Sequence, residues 1–174
     1  FSVVIPTYNQ ARLLDRAIDS VLKQTFQNYE IIVIDDFSKD ETQEIVEKFG
    51  SNKINYKKIN NNKNIGASRN RGIELSKGKW IAFLDSDDIW YPNRLMIISK
   101  FLQTNEKNYD VICTDELIID NIRNREKIWK YGPFRDNFYR ELLVLGNCLS
   151  TSASVVCSNF LDKHKIKFNE DKIF

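Results

Sequence analysis

The chain has 174 residues, enough for one domain with a sizeable core. Its 42% apolar and 29% charged composition is that of a globular protein, and 26 basic against 24 acidic residues leave a net charge of only +2, which excludes the strong basic field of a nucleic-acid binder. Three cysteines without a CxxC spacing (Cys113, Cys148 and Cys157) argue against a disulfide framework or a zinc site and suit a reducing compartment.

In chain order, "SVVI" at residues 2–5 is a β-branched run bounded by Pro6, the pattern of a buried strand. A helix follows with Leu13, Leu14, Ile18, Val21 and Leu22 on one face. "YEIIVIDD" (29–36) reads as a second buried strand running into acids. Ser38 and Asp40 are N-cap candidates for the helix "ETQEIVEKF", with Gly50 as its stop. "INYKKI" (54–59) is a third strand, "NNNKNIG" a turn-rich loop, and a helix is expected from Ala67 to Ser76. "KWIAFL" (79–84) is a fourth strand ending at Asp85. Beyond Pro92 the sequence predicts a helix carrying Leu95, Ile98 and Leu102, strands near "DVICT", "ELIID", "EKIWKY" and "SASVVC", and a helix over "RDNFYRELLVL" (135–145).

Residues 142–161 carry no charge over about the length a bilayer requires, yet their serines and asparagines make them too polar to span it. No signal peptide is visible, although the chain opens at Phe1 without a methionine, which leaves a lost N-terminal address open.

Alternating strands and helices, with the strands continuous rather than alternating in polarity, predict an α/β fold: a mostly parallel sheet covered by helices on both faces. Such sheets bind ligands at the carboxyl ends of their strands. Thr7, Tyr8 and Asn9, then Asp35 and Asp36, then Asp85, Asp87 and Asp88 all fall at such ends, so the acids converge on one rim. Carboxylates crowded in this way have raised pKa values, basic partners, or a bound cation. Asp85 and Asp87 flank the small Ser86, and on an extended segment both point to one side. Hard oxygen donors in that arrangement suit Mg²⁺ or Mn²⁺ completed by waters and phosphate oxygens. The plainer alternative is that aspartates after a strand cap the next helix, a role that suits Asp88.

"SVVIPTYNQ", "IIVIDDFSKDET", "NNKNIGASRNRGI" and "GKWIAFLDSDDIWYP", in this order and spacing, resemble the family-two glycosyltransferases of GT-A fold, strongly over residues 2–100 and weakly beyond. The resemblance implies one catalytic domain over 1–174: a nucleotide-sugar and metal-binding half (1–100) and the start of an acceptor-side half (101–174). It further implies metal-dependent, inverting transfer of a sugar from a nucleoside-diphosphate donor, a UDP-sugar favoured, to an acceptor hydroxyl in bacterial surface glycan synthesis. Carried over residue by residue, it makes Asp87 the direct ligand of Mn²⁺ or Mg²⁺, with Asp85 beside it near the ribose or a water on the metal, and Ser86 between them. Asp36 would accept from the base, Pro6 and Tyr8 would line the nucleoside pocket, and Asn64 and Arg69 would approach the donor, Arg69 pairing with phosphate.

"KFNED" resembles the family's Phe-Asp-Glu turn, which precedes its catalytic acidic pair. The general base is therefore expected past Phe174, with Asp171 as the alternative. Plainer readings stand beside these: Tyr8 as core, Asp35 as a structural turn residue, Arg69 as a solvated helix residue, and Gly66 and Gly72 as turn formers. His164, the only histidine, reads as a surface residue. Trp80, Trp90 and Trp129 read as core or pocket wall, with Trp90 a candidate to stack on a sugar. Lys163, Lys165 and Lys167 are too few to assign membrane attachment. A glycan or lipid-linked acceptor would nevertheless place the enzyme in the cytoplasm, in peripheral contact with the inner face of the membrane, with no nucleic-acid partner. The rivals are a non-catalytic nucleotide-binding relative and a nucleotidyltransferase. The latter calls for a Gly-rich loop after the first strand, whereas "PTYNQAR" has no glycine.

Overall fold

The computed structural model of the chain describes residues 1–105, 109–132 and 149–171. In chain order the elements are β1 (Ser2–Thr7), α1 (Ala11–Leu22), β2 (Glu30–Asp35), α2 (Thr42–Lys48), β3 (Ile54–Lys58), α3 (Ile65–Leu75), β4 (Trp80–Phe83), α4 (Arg94–Thr104), β5 (Val111–Cys113), β6 (Glu116–Asp120), β7 (Arg125–Trp129), β8 (Ser154–Cys157) and α5 (Ser158–His164). The predicted helix over 135–145 lies outside the described residues. Among these, no helix is long and apolar enough to cross a membrane.

Six strands form one sheet in the order β3-β2-β1-β4-β8-β5, and β6 and β7 form a separate hairpin. β1, β2, β3 and β4 are mutually parallel, as the unbroken apolar runs require. β8 runs antiparallel between β4 and β5. That reversal carries no sequence signal, because the strand's residues read alike in either direction.

Alternate strand residues feed two cores. Val3, Ile5, Ile31, Val33, Ala82 and Leu84 pack on one side with Leu14, Ile18 and Val21 of α1 and with Leu95 and Ile98 of α4. Val4, Ile81 and Phe83 pack on the other with Leu161 of α5 and Ile73 of α3. The α1 residues Leu14, Ile18 and Val21 recur at helical spacing and are fully buried, each contributing about 1.5–3 kcal/mol. Gln10 gives this helix no side-chain cap. Asp40 supplies it from the next loop, accepting from the Ala11 N–H at 2.9 Å, and the same carboxylate accepts from the Thr42 N–H (3.2 Å) and hydroxyl (2.5 Å) at the start of α2.

Two features of β1 open a site. Its pairing with β4 ends at Val4↔Phe83, followed by the Leu84 N–H to the Val4 carbonyl. Pro6 lies beyond that point on the β4 side, so its missing N–H leaves no ladder bond unmade. The chains leaving β1 and β4 therefore diverge where the strand order switches sides, the place at which open α/β sheets hold ligands.

Glycine at position 72 is required by close approach rather than by a turn: a Cβ there would overlap the Val4 side chain, lying 3.1 Å from its Cβ. Gly→Ala inside a helix ordinarily stabilises by up to about 1 kcal/mol. At Gly72 the sign reverses, because Val4 is stiff and fully buried. Gly72→Ala is expected to lower unfolding free energy in urea by about 1–3 kcal/mol, and a Gly72→Ala/Val4→Ala double variant should lose less than the sum of the two single losses.

Candidate active site

A cleft of about 340 Å³ lies outside the carboxyl ends of β1, β2 and β4, lined by Pro6, Thr7, Tyr8, Asp36, Ser86 and Asp87 among others. Each wall has a local cause. Asp35 and Asp36 follow β2 in sequence but are used differently. Asp35 is fully buried and accepts from the Ser38 N–H (2.9 Å) and hydroxyl (2.5 Å) and from the Tyr56 hydroxyl (2.6 Å). Burial, reinforced by that bond to Asp35, raises the Tyr56 pKa well above the usual phenol value. Asp35 is thus the turn residue expected. Asp36 is held by its own N–H to the Thr7 carbonyl (2.9 Å) and by Oδ1 accepting from the Asn61 N–H (2.6 Å). Its second oxygen carries no hydrogen bond among the described residues, and its side chain lines the cleft.

Ser38 and Asn9 clasp the first two loops together: the Asn9 N–H donates to Ser38 Oγ (2.9 Å) and the Lys39 N–H to Asn9 Oδ1 (2.8 Å). The clasp leaves Tyr8 half-exposed on the cleft wall, with Lys63 Nζ 5.2 Å from its ring centroid. Thr7 keeps a buried hydroxyl without a partner among the described residues.

The acidic loop after β4 hangs on Ser152, which the sequence puts at the start of the predicted strand "SASVVC" with no signal of this role. Ser152 Oγ accepts from the Asp85 N–H (2.9 Å), and its carbonyl accepts from Trp90 Nε1 (3.3 Å) and Arg94 Nη2 (3.2 Å). Arg94 lies 4.1 Å over the Trp90 ring, and burial lowers its pKa to about 10. Trp90 is only 7% exposed and packs in the core, so it is not free to stack on a sugar. Trp80 is half-buried against the same core, whereas Trp129 is exposed on the β6–β7 hairpin. His164 is exposed, as expected, and rests on the Phe160 ring.

Asp85 faces Arg69, whose Nη2 donates to both carboxylate oxygens at 2.7 and 3.0 Å. Ser86 donates to Gln10 from the start of α1. Asp87 is exposed and has no hydrogen-bond or ion-pair partner among the described residues. Asp88 is raised in pKa, first by desolvation and then by Asp87, Asp85 and Glu116, against a hydrogen bond with Ser152 that lowers it. Among the described residues no three His, Cys, Asp or Glu side chains converge. The donor set therefore fits a hard cation held by one open carboxylate, Asp87, with a bound phosphate and water completing its shell. It does not fit an all-protein cage.

Three candidates from the sequence sit otherwise than on the cleft wall. Asn64 caps α3, accepting from the Ala67 N–H (3.0 Å), and donates to the Glu170 carbonyl (2.6 Å). α3 consequently begins at Ile65, two residues earlier than expected. Arg69 reaches the site only through Asp85, with 11% of its side chain exposed. Asp171 is exposed, its N–H bonded to Asn169 Oδ1 (2.8 Å). Lys63, Ile65 and Ser68 line the cleft as well, although the resemblance singles out only Asn64 and Arg69 of this stretch.

The arrangement is that of an α/β domain with a carboxylate-lined cleft at the carboxyl ends of its parallel strands. A model of glycosyl transferase family 2 matches residues 2–160, and the chain belongs to that family. It is 38% identical over 122 residues to the Escherichia coli UDP-Glc:alpha-D-GlcNAc-diphosphoundecaprenol beta-1,3-glucosyltransferase WfgD, a match covering 67% of this chain and 48% of that enzyme. It is 31% identical to an uncharacterized glycosyltransferase of Haemophilus influenzae over 98% of this chain and 55% of the other. Residues 1–349 of S. aureus TarS in complex with UDP-GlcNAc superpose with a TM-score of 0.74 at 25% identity, covering 97% of this chain and 48% of that 1–349 chain. A Pyrobaculum calidifontis mannosyltransferase bound to GDP-Man and Mn²⁺ shares the fold at a TM-score of 0.68 and 17% identity, over 98% of this chain and 47% of that one. The chain thus spans about half the length of these relatives.

Asp40 anchors the clefted end of the fold. Burial pushes its pKa up, but the bonds from the Thr42 hydroxyl and from the Ala11 and Thr42 amides outweigh this and hold it below the ordinary 3.8. A depressed carboxylate stabilises the fold above the unfolded value and loses that contribution as pH falls through the folded one. Asp40→Ala is expected to cost about 1 kcal/mol at pH 7, and thermal denaturation should show the gap to wild type narrowing as pH falls below the usual carboxylate range.

Proposed function

We propose that this chain carries the donor site of an inverting glycosyltransferase that moves a sugar from a UDP-sugar to an acceptor hydroxyl in the presence of Mn²⁺ or Mg²⁺. The observation that carries the reading is the pairing, across one cleft, of a half-satisfied carboxylate at Asp36 with an unpartnered one at Asp87. The first suits the N–H of a base and the second a cation beside a diphosphate.

In this reading Tyr8 and Pro6 wall the nucleoside, and Asp36 Oδ2 accepts from uracil, its geometry fixed because Oδ1 is already occupied. Asp85 is oriented by Arg69 and Ser152 and lies toward the ribose. Arg69 consequently acts through Asp85 rather than directly on phosphate. Asn64 shapes the start of α3 rather than touching the donor. Asp87 would hold the ion, which, when bound, would supply positive charge to offset that growing on the departing diphosphate, an effect worth several kcal/mol. Lys63, above Tyr8, adds a second positive group at the cleft mouth.

The acceptor hydroxyl must surrender a proton on the face opposite the diphosphate. We assign that role to a carboxylate following the Phe168–Asp171 turn, with Asp171 itself the alternative. UDP is favoured because TarS has been captured with UDP and UDP-GlcNAc, at 26% and 25% identity, and because the name of WfgD specifies UDP-Glc. The same name describes a diphosphoundecaprenol-linked substrate, which supports a lipid-linked acceptor and work close to a membrane surface.

Calorimetry with UDP, with and without Mn²⁺, tests the reading. Wild type should bind UDP more tightly with the metal, and Asp87→Ala should lose about 100-fold of that metal-dependent affinity. Equal binding by both proteins, indifferent to Mn²⁺, would remove the role given to Asp87.

A further inference from the structure

α3 presents two stripes to two different partners. Ile65 and Ser68 line the cleft, and Arg69 reaches Asp85. The adjacent stripe, Gly66 and Asn70, receives the segment Phe168–Glu170 from nearly one hundred residues away in sequence. Asn70, 3% exposed, donates to the Phe168 carbonyl (2.9 Å) and to Glu170 Oε1 (2.7 Å), and its Oδ1 accepts from the Phe168 N–H (2.9 Å). Asn64 adds its bond to the Glu170 carbonyl (2.6 Å). A Cβ at residue 66 would overlap the Asn169 carbonyl oxygen, so only glycine lets the segment lie this close.

The docking places the Phe168 ring against two groups. It meets Phe83, the last residue of β4, edge to face at 5.3 Å and 86°. It also lies under the Arg69 guanidinium, whose central carbon is 5.3 Å from the ring centroid. Arg69 is therefore held between an aromatic face and the Asp85 carboxylate. Its Nε is buried and has no hydrogen-bond partner among the described residues, so the ring and Asp85 are what fix it in place.

We propose that Phe168 is a positioning residue of the donor site: the docked turn holds Arg69 on Asp85 through the π face of Phe168, and so couples the segment after α5 to the acidic loop. The inference rests on the donor-binding reading above and deepens it. A cation over a desolvated ring is attracted by its quadrupole, which leucine of similar bulk lacks and tyrosine keeps.

The experiment compares UDP affinity in Mn²⁺ for wild type, Phe168→Tyr, Phe168→Leu and Gly66→Ala, with folding verified by circular dichroism. Phe168→Tyr should bind as wild type does, and Phe168→Leu should bind about fivefold more weakly. Gly66→Ala, which keeps the ring but displaces the turn, should weaken binding similarly. If leucine and tyrosine bind alike, whether both as wild type or both weakly, the π face plays no part and the proposal falls. If Phe168→Leu fails to fold, Gly66→Ala decides: wild-type affinity with the turn displaced overturns the coupling. A wild-type chain that binds no UDP defeats the donor reading, and this inference with it; a binding wild type with unaffected variants defeats this inference alone.

Discussion

The contact on which the site depends is the pair made by Arg69 Nη2 with both oxygens of Asp85. It joins α3, which covers one face of the sheet, to the loop that leaves β4. Without a cationic partner Asp85 would face Asp87 and Asp88 as one of three like charges within four positions, and such clusters relieve themselves by taking up protons. With Arg69 in place, one acid is neutralised by the protein, one is hydrogen-bonded to Ser152, and one is left open. The three aspartates are consequently not equivalent. Only Asp87 keeps its full capacity for a ligand.

The same division operates at β2. Asp35 turns inward and spends its oxygens on Ser38 and Tyr56, so that the loop carrying Asp36 has a fixed floor. Asp36 then presents one free oxygen to the cleft. Adjacent residues on a strand point to opposite sides, which is why two identical side chains in succession become a foundation and a contact. The backbone alternation, rather than any difference in the residues, makes the assignment.

Much of this was legible in the sequence, because the parallel strands are buried on both faces and their apolar runs are unbroken. Every strand anticipated within the described residues is present, and Pro6, Tyr8, Asp36, Asp85, Ser86 and Asp87 share one cleft. What could not be read is whatever depends on distant partners. Asn64 and Arg69 were referred to the donor, yet their nearest obligations are to Glu170 and Asp85. Ser152 carries no motif and acquires its role only by lying beside a loop sixty-seven positions earlier. Helix α5 (Ser158–His164) lies where the sequence predicts no element, and Gly66 and Gly72 read as turn formers although both serve close approach. Periodicity reports which face an element buries; it is silent about which remote neighbour arrives there.

The reversed strand β8 has one more consequence. The chain leaves the sheet at Cys113 and returns at Ser154, and these two residues are direct partners across the β5–β8 ladder. Everything between them is an excursion whose ends are pinned side by side. Lengthening a loop whose ends are already paired costs only about 0.6 kcal/mol per doubling, so the β5–β8 ladder itself tolerates changes between them. That tolerance stops at Ser152, inside the same stretch, whose hydroxyl accepts from the Asp85 N–H and so ties the acidic loop of the cleft to the end of β8.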